Sequence, residues 1–346
     1  MKLDFTGINQ PLSSTINLSG KEYLYFGGTA YLGIPQNDDF IKLYVDGIKK
    51  FGLNNGTSRI NNIQLGIYNE AEIEAADRFK AEAALITSSG YLAAQLTVKE
   101  LSNFGSVIYA PSTHPALWQE KQPDEVLTFA GWSKEVVEKI NSAPENNWVI
   151  ISNSMNNLIP EIYDFSFLNE IETSKNIILI VDDSHGIGVN NKGFGAYVKL
   201  PKLNNVENVL VASMAKALGV DAGVILGSEK IINQLKSTNT FAGASPPAAA
   251  GLYAFLYAKD IYRTAWQKLQ QNIIHFNDAI NVTWKFEQDF PVYFINYPNL
   301  ATNLLKDNIL ISSFPYPNAD SEPLNRIVLS SWHQPENIKQ LISVLK

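Results

Sequence analysis

The chain reads as an α/β protein: a mostly parallel central sheet covered by helices, followed by a small α+β C-terminal domain. Three stretches predict this. Residues 177–181, Ile-Ile-Leu-Ile-Val, are an unbroken apolar run of strand length that stops at Asp182-Asp183, the pattern of a strand buried on both faces. Residues 206–213 form a second apolar strand, which leads into Met214-Ala215-Lys216-Ala217-Leu218-Gly219. Residues 83–87 form a third, which Ser88-Ser89-Gly90-Tyr91 turns into a helix over 92–101.

Composition sets the outer bounds. The 346 residues, 45% of them hydrophobic, suffice for one large domain and one smaller one. A net charge of -7 speaks against a nucleic-acid surface. The lack of cysteine excludes disulfides, thiolate metal sites and cysteine nucleophiles, and fits a cytoplasmic protein. Met1-Lys2-Leu3-Asp4 opens no signal peptide, and no apolar run approaches membrane-spanning length.

In chain order, residues 1–40 read as an N-terminal arm with little core of its own, and a helix follows over 38–50. Residues 52–59 are rich in turn formers. A helix over 69–79 carries Ile73, Ala76 and Phe79 on its apolar side, with Asn69 as a candidate cap. Further strands are expected at 106–110 and 148–152, and another at 221–227 after the lysine. Pro246-Pro247 suits the first turn of a long helix over 245–280, which would join a large domain (41–250) to a C-terminal one (251–346). In the latter, strands near 292–295, 309–313 and 326–330 precede a final helix over 335–345. No linker is evident, so the two domains are expected to pack as one unit.

The chemistry gathers where strands end. Asp182 stands at the carboxyl end of a parallel strand, the edge at which open α/β sheets bind ligands, with His185 three residues on. An acid before a glycine-rich loop is also ordinary turn chemistry, and a lysine at 216 is also compatible with a snorkelling surface residue. Together, Asp182, His185 and Lys216 suit pyridoxal 5'-phosphate: the lysine holds the aldehyde as a Schiff base, and the acid keeps the pyridine nitrogen protonated. Ser89-Gly90-Tyr91 at a helix amino terminus can cradle a phosphate or simply cap the helix.

The runs Val-Asp-Asp-Ser-His-Gly-Ile-Gly-Val (181–189) and Ser-Met-Ala-Lys-Ala-Leu-Gly (213–219), with Tyr31-Leu32-Gly33 before them and Pro246-Pro247 after, resemble in order the α-oxoamine synthase family. These are fold-type I PLP-dependent transferases such as 8-amino-7-oxononanoate synthase and 2-amino-3-ketobutyrate ligase. The resemblance implies PLP on Lys216, with Asp182 on the ring nitrogen and His185 on the phenolic oxygen. It implies that His114, in Pro111-Ser112-Thr113-His114, stacks on the ring, and that Ser89, Gly90, Tyr91 and Ser213 surround the phosphate. Arg326, in the run 325–333 that resembles the family's tail motif, would hold the substrate carboxylate, whereas His275 and His333 read as structural. No metal is implied.

The activity so implied is the decarboxylating condensation of a small amino acid with an acyl-CoA or other acyl thioester, as in biotin biosynthesis, by a homodimer with active sites at its interface. Lys216 would also be the general base. An aminotransferase or lyase would use the same Asp, Lys and Arg. A PLP-binding homologue without synthase activity is a further alternative, because the chain departs from the family at four points. Thr29-Ala30 replaces two asparagines, Asn69-Glu70 replaces a histidine-bearing motif, Gly243 stands where a hydroxyl residue precedes the two prolines, and the C-terminal domain is short.

Overall fold

The computed structural model describes residues 5–120, 128–280, 284–315 and 320–345. Residues 1–4, on which the expected lack of a signal peptide rests, lie outside these. The chain divides into two compact units. Among the described residues no helix is long and apolar enough to cross a membrane.

The larger unit comprises residues 39–156 and 162–259. Its six-stranded sheet runs in the order Ala83–Thr87, Gly223–Gly227, Val206–Ser213, Asn176–Asp182, Asn147–Asn153, Ser106–Tyr109. Gly223–Gly227 is antiparallel to both of its neighbours, and the remaining pairs are parallel. The unbroken apolar runs are explained by what covers each face. Ile178 and Ile180 join a core with Leu96, Val98 and Ile232 from the helices Gly90–Leu101 and Glu229–Lys236. Ile177, Leu179 and Val181 join a second core on the opposite face, with Trp132, Val136 and Phe167. A strand with period 2 and apolar partners on both sides has no position left for a polar residue until it ends.

Two helices differ from expectation. The one read as 69–79 spans Ile67–Phe79, with Gly66 rather than Asn69 at its cap. It buries Ile67, Tyr68, Ala71, Glu72, Ala75, Ala76 and Phe79, while Ile73 falls on the opposite side and is 71% exposed. The continuous helix expected over 245–280 is two, Ala249–Tyr257 and Lys259–Asn277, separated at Ala258, and Pro246-Pro247 precede the first helix rather than opening its first turn.

Residues 52–59 end in an inward-facing charge. Arg59 pairs with Glu72 at 3.0 Å, each side chain only 5% exposed, and lies over the Tyr68 ring. Glu72 also binds Lys236 at 2.8 Å and accepts the Ile86 amide at 3.2 Å.

The smaller unit comprises residues 5–38, 157–161 and 260–345. Its sheet runs Thr15–Leu18, Lys21–Phe26, Ile309–Pro315, Pro323–Val328, Val292–Ile295, Lys285–Phe286. The segment read as an arm thus supplies two strands: Lys21–Phe26 pairs in parallel with Ile309–Pro315 and buries Tyr23 and Phe26.

His333 stacks on Phe26 at 4.3 Å in this unit. The Ser330 amide donates to its Nδ1 at 2.9 Å, so Nε2 carries the proton and donates to the Tyr25 carbonyl at 2.9 Å. Burial lowers its pKa to about 4. The folded state therefore disfavours the imidazolium, and below the unfolded value of about 6.5 protonation favours the unfolded chain. The stability that His333 contributes is full above pH 6.5 and falls as pH drops toward 4, by up to about 3 kcal/mol. Urea unfolding of wild-type and His333→Gln proteins across this range should show the wild-type advantage shrinking on acidification; a pH-independent difference would refute the neutral, buried assignment.

Candidate active site

Because five strands of the larger sheet are mutually parallel, their carboxyl ends lie along one edge, with Gly223, the start of the antiparallel strand, beside them. Asp182, Ser213 and Asn153 end adjacent strands there, and His114 follows another. Polar residues can collect at this edge because the strands leave the two apolar layers there.

Asp182 pairs in register with Asn153 on one side and Val211 on the other. Its Oδ1 accepts the Ser184 amide at 2.8 Å. The next acid, Asp183, is fully buried: its Oδ2 accepts the Ala196 amide at 2.7 Å, and its carbonyl accepts the amides of Gly186 and Ile187. Burial pushes its pKa up to about 7. Asp183 thereby holds the glycine-rich loop that follows His185, which is half-buried.

The lysine loop is joined to this one. The Ser213 amide donates to Ser184 Oγ at 2.8 Å, and the Ser213 hydroxyl accepts the Ala215 amide at 3.3 Å. Met214 and Ala222 close the loop with a backbone bond of 2.9 Å, leaving Lys216 half-buried at its tip.

His114 is placed by Asn153, whose Oδ1 accepts its amide at 3.1 Å and whose Nδ2 donates to the Ser112 carbonyl. The Ala116 amide donates to His114 Nδ1, so the neutral ring carries its proton on Nε2. The surrounding protein lowers the His114 pKa; the nearby Asp182 carboxylate opposes this and the Lys216 ammonium adds to it. One ring thus feels both charges.

Ser89 caps the helix Gly90–Leu101 by accepting the Leu92 amide at 3.1 Å. The first-turn amides of Gly90 and Tyr91 lack intrahelical acceptors by construction and favour an anion. A Cβ on Gly90 would stand 2.6 Å from Ser213 Cβ, so this position admits only glycine without displacement. Gly90→Ala is expected to cost about 1–3 kcal/mol of stability in urea unfolding, as overpacking does; an unchanged midpoint would show that the approach is not close.

Arg326 belongs to the smaller unit and is described within it. It is 6% exposed on the strand Pro323–Val328, and its guanidinium donates to the Tyr31 hydroxyl. Burial lowers the Arg326 pKa, against the Tyr31 contribution, and burial pushes Tyr31 up to about 12, against that of Arg326.

The structure thus brings Asp182, His114, Ser89, Gly90, Tyr91, Ser213, Lys216 and His185 to one edge of one unit. Among the described residues no group of His, Asp and Glu could hold a metal ion. Gly243 ends a short helix, and a Cβ there would meet nothing within 4 Å. Sequence reasoning passed over Asn153, Asp183 and Ser184, which hold the loops. A polar residue at the end of a buried strand was the available signal for Asn153, and the second acid of the pair for Asp183.

Comparison with known proteins identifies the family and the fold. The sequence profile of the family Aminotransferase class I and II matches residues 17–345. A putative 8-amino-7-oxononanoate synthase of Thermodesulfovibrio yellowstonii is 24% identical, over 95% of this chain and 89% of its own length. The 8-amino-7-oxononanoate synthase of Hahella chejuensis is 23% identical over 98% and 90%. Among solved structures, a serine palmitoyltransferase of S. paucimobilis superposes with a TM-score of 0.82 at 16% identity, over 98% of this chain and 90% of that one. The 8-amino-7-oxononanoate synthase of Francisella tularensis gives 0.68 at 20% identity, over 93% and 96%. The chain belongs to the aminotransferase class I and II family, with a fold-type I architecture and, among its relatives, the α-oxoamine synthases that its motifs resemble.

Proposed function

We propose that the chain is a PLP-dependent C-acyltransferase that condenses a small amino acid with an acyl-CoA, with loss of carbon dioxide. The observation that carries this reading is the convergence of Asp182, His114 and the Lys216 loop beside the Ser89-Gly90 helix terminus on one sheet edge. The residues fit the cofactor: the close approach of Gly90 to Ser213 leaves backbone amides and a hydroxyl for a phosphate, as a bulkier residue would not.

Lys216 would hold the aldehyde carbon, Asp182 the protonated ring nitrogen and His185 the phenolic oxygen, with His114 against the ring face. Ser89, Gly90, Tyr91 and Ser213 would bind the phosphate. When bound, PLP supplies an electron sink for negative charge at the substrate's α-carbon. Released from the aldehyde carbon when the substrate's amine replaces it there, the Lys216 amine would be free to take the α-proton. Arg326 binds the substrate carboxylate through a planar two-point contact. The donor is an acyl-CoA or related thioester, and biotin synthesis is one pathway that uses such a step.

A homodimer is part of this reading. Leu53, Ile60, Ile63 and Ile73, each more than 60% exposed, are the kind of apolar surface that a partner subunit covers. The absence of cysteine accords with a cytoplasmic setting. A PLP-binding homologue without synthase activity is the second reading, favoured by Gly243, whose position has room for the hydroxyl it lacks, and by Thr29-Ala30.

The visible spectrum of the PLP-loaded protein, recorded with glycine, alanine or serine and then with a panel of acyl-CoAs, separates these. A band that shifts with one amino acid, with free CoA released by one thioester, supports the synthase. A spectral response without CoA release with any thioester points to an aminotransferase or lyase. A loaded protein indifferent to amino acids is the inactive homologue, and one that cannot be loaded sinks every PLP reading.

A further inference from the structure

The geometry points to Tyr31 as a positioning residue that holds the Arg326 guanidinium in place for a substrate carboxylate. This rests on the reading of Arg326 as the carboxylate contact. Arg326 Nε is buried and has no hydrogen-bond partner. The bond to the Tyr31 hydroxyl therefore comes from a terminal nitrogen. A guanidinium offers paired N–H groups along each edge. With Tyr31 taking one N–H of a terminal nitrogen, the guanidinium plane is held while its other N–H groups are left for a planar anion.

Neither partner is placed to swing away. In the sheet register Arg326 lies opposite Phe294 on one neighbouring strand and Ser312 on the other, and directly opposed side chains share a face. Tyr31 is fully buried, its ring edge-on to Phe290 at 5.5 Å. Its carbonyl accepts the Ser331 amide at 2.9 Å, and the preceding Ala30 carbonyl accepts the Ser330 hydroxyl at 2.6 Å. The turn at Gly33 has φ +59, and a Cβ there would stand 2.9 Å from Ser331 Oγ, so the segment that carries Tyr31 is locked to the one that follows Arg326. A guanidinium held in this way favours α-amino acids with a free carboxylate over the corresponding amines.

The test uses the PLP-loaded protein and Tyr31→Phe, which removes the hydroxyl alone. Spectral titration with glycine, alanine or serine is expected to give a Kd raised about tenfold, the effect of losing one hydrogen bond to a charged group. Turnover at saturating amino acid should stay within about twofold, since the interaction is uniform binding. Titration with methylamine or ethylamine, which lack the carboxylate, should be unchanged. If Arg326→Lys weakens amino-acid binding and Tyr31→Phe does not, the positioning role is overturned while the carboxylate reading stands; if neither weakens it, the carboxylate reading itself fails. An independent readout is spectroscopic. The 15N resonances of the Arg326 guanidinium, assigned by their loss in Arg326→Lys, should shift with glycine and not with methylamine, and this shift should shrink in Tyr31→Phe; an equal shift in that variant would overturn the positioning role.

Discussion

Lys216→Ala is expected to abolish covalent retention of PLP and to lower turnover by about 10²–10⁴-fold, the range that a positioned acid-base group supplies. The side chain is half-buried at the tip of a loop closed by its own backbone bonds, so its removal should leave the fold intact. Borohydride reduction followed by mass measurement of the intact chain gives the direct reading: the wild-type chain gains the cofactor's mass and the variant does not. Lys216→Arg is the control for charge, since an arginine keeps the cation without a usable amine. A variant that still gained the mass would place the attachment on another lysine.

Glu72→Ala should destabilise the larger unit by about 3–5 kcal/mol, the cost of removing one partner of a buried ion pair. Glu72 and Arg59 are each 5% exposed, and Arg59 Nε already lacks a partner, so the variant strands a buried guanidinium. The Ile86 amide loses its acceptor at the same time. Urea unfolding measures the loss. A shift below about 1 kcal/mol, the level of an exposed pair, would mean that water reaches Arg59.

Much of the larger unit was legible because burial on both faces writes itself into sequence as an unbroken apolar run. The strands over 177–181 and 206–213 were readable for that reason, and their ends marked Asp182 and the Lys216 loop. The helix Ile67–Phe79 was harder: its buried face mixes three alanines and Glu72 with Ile67, Tyr68 and Phe79, and a reading that follows large residues places Ile73 inside when it is outside. The break at Ala258 carries no proline or glycine to announce it. Within the candidate site, the titratable residues were readable by type and position, whereas the supports were not. Asn153 holds His114 from a different strand, and Ser184 takes the Ser213 amide across 29 positions of chain. Tyr31 and Arg326 meet from opposite ends of the sequence, and no local pattern relates a phenol to a distant guanidinium.

The antiparallel strand Gly223–Gly227 has a consequence for biogenesis. Among the described residues it is the sole sheet partner of Ala83–Thr87, the strand that delivers Ser89 and Gly90. During vectorial synthesis the amino-terminal half of the larger unit therefore emerges with that strand edge unpaired and its helix terminus unopposed. Both wait until residue 227 has left the ribosome, and long-range pairing of this kind is slow and exposed to misassembly. The smaller unit waits longer, because Lys21–Phe26 pairs with Ile309–Pro315. Nascent chains halted before Gly223 should thus present a strand edge that chaperones recognise, and the capacity to bind PLP should appear abruptly with chain length rather than by degrees.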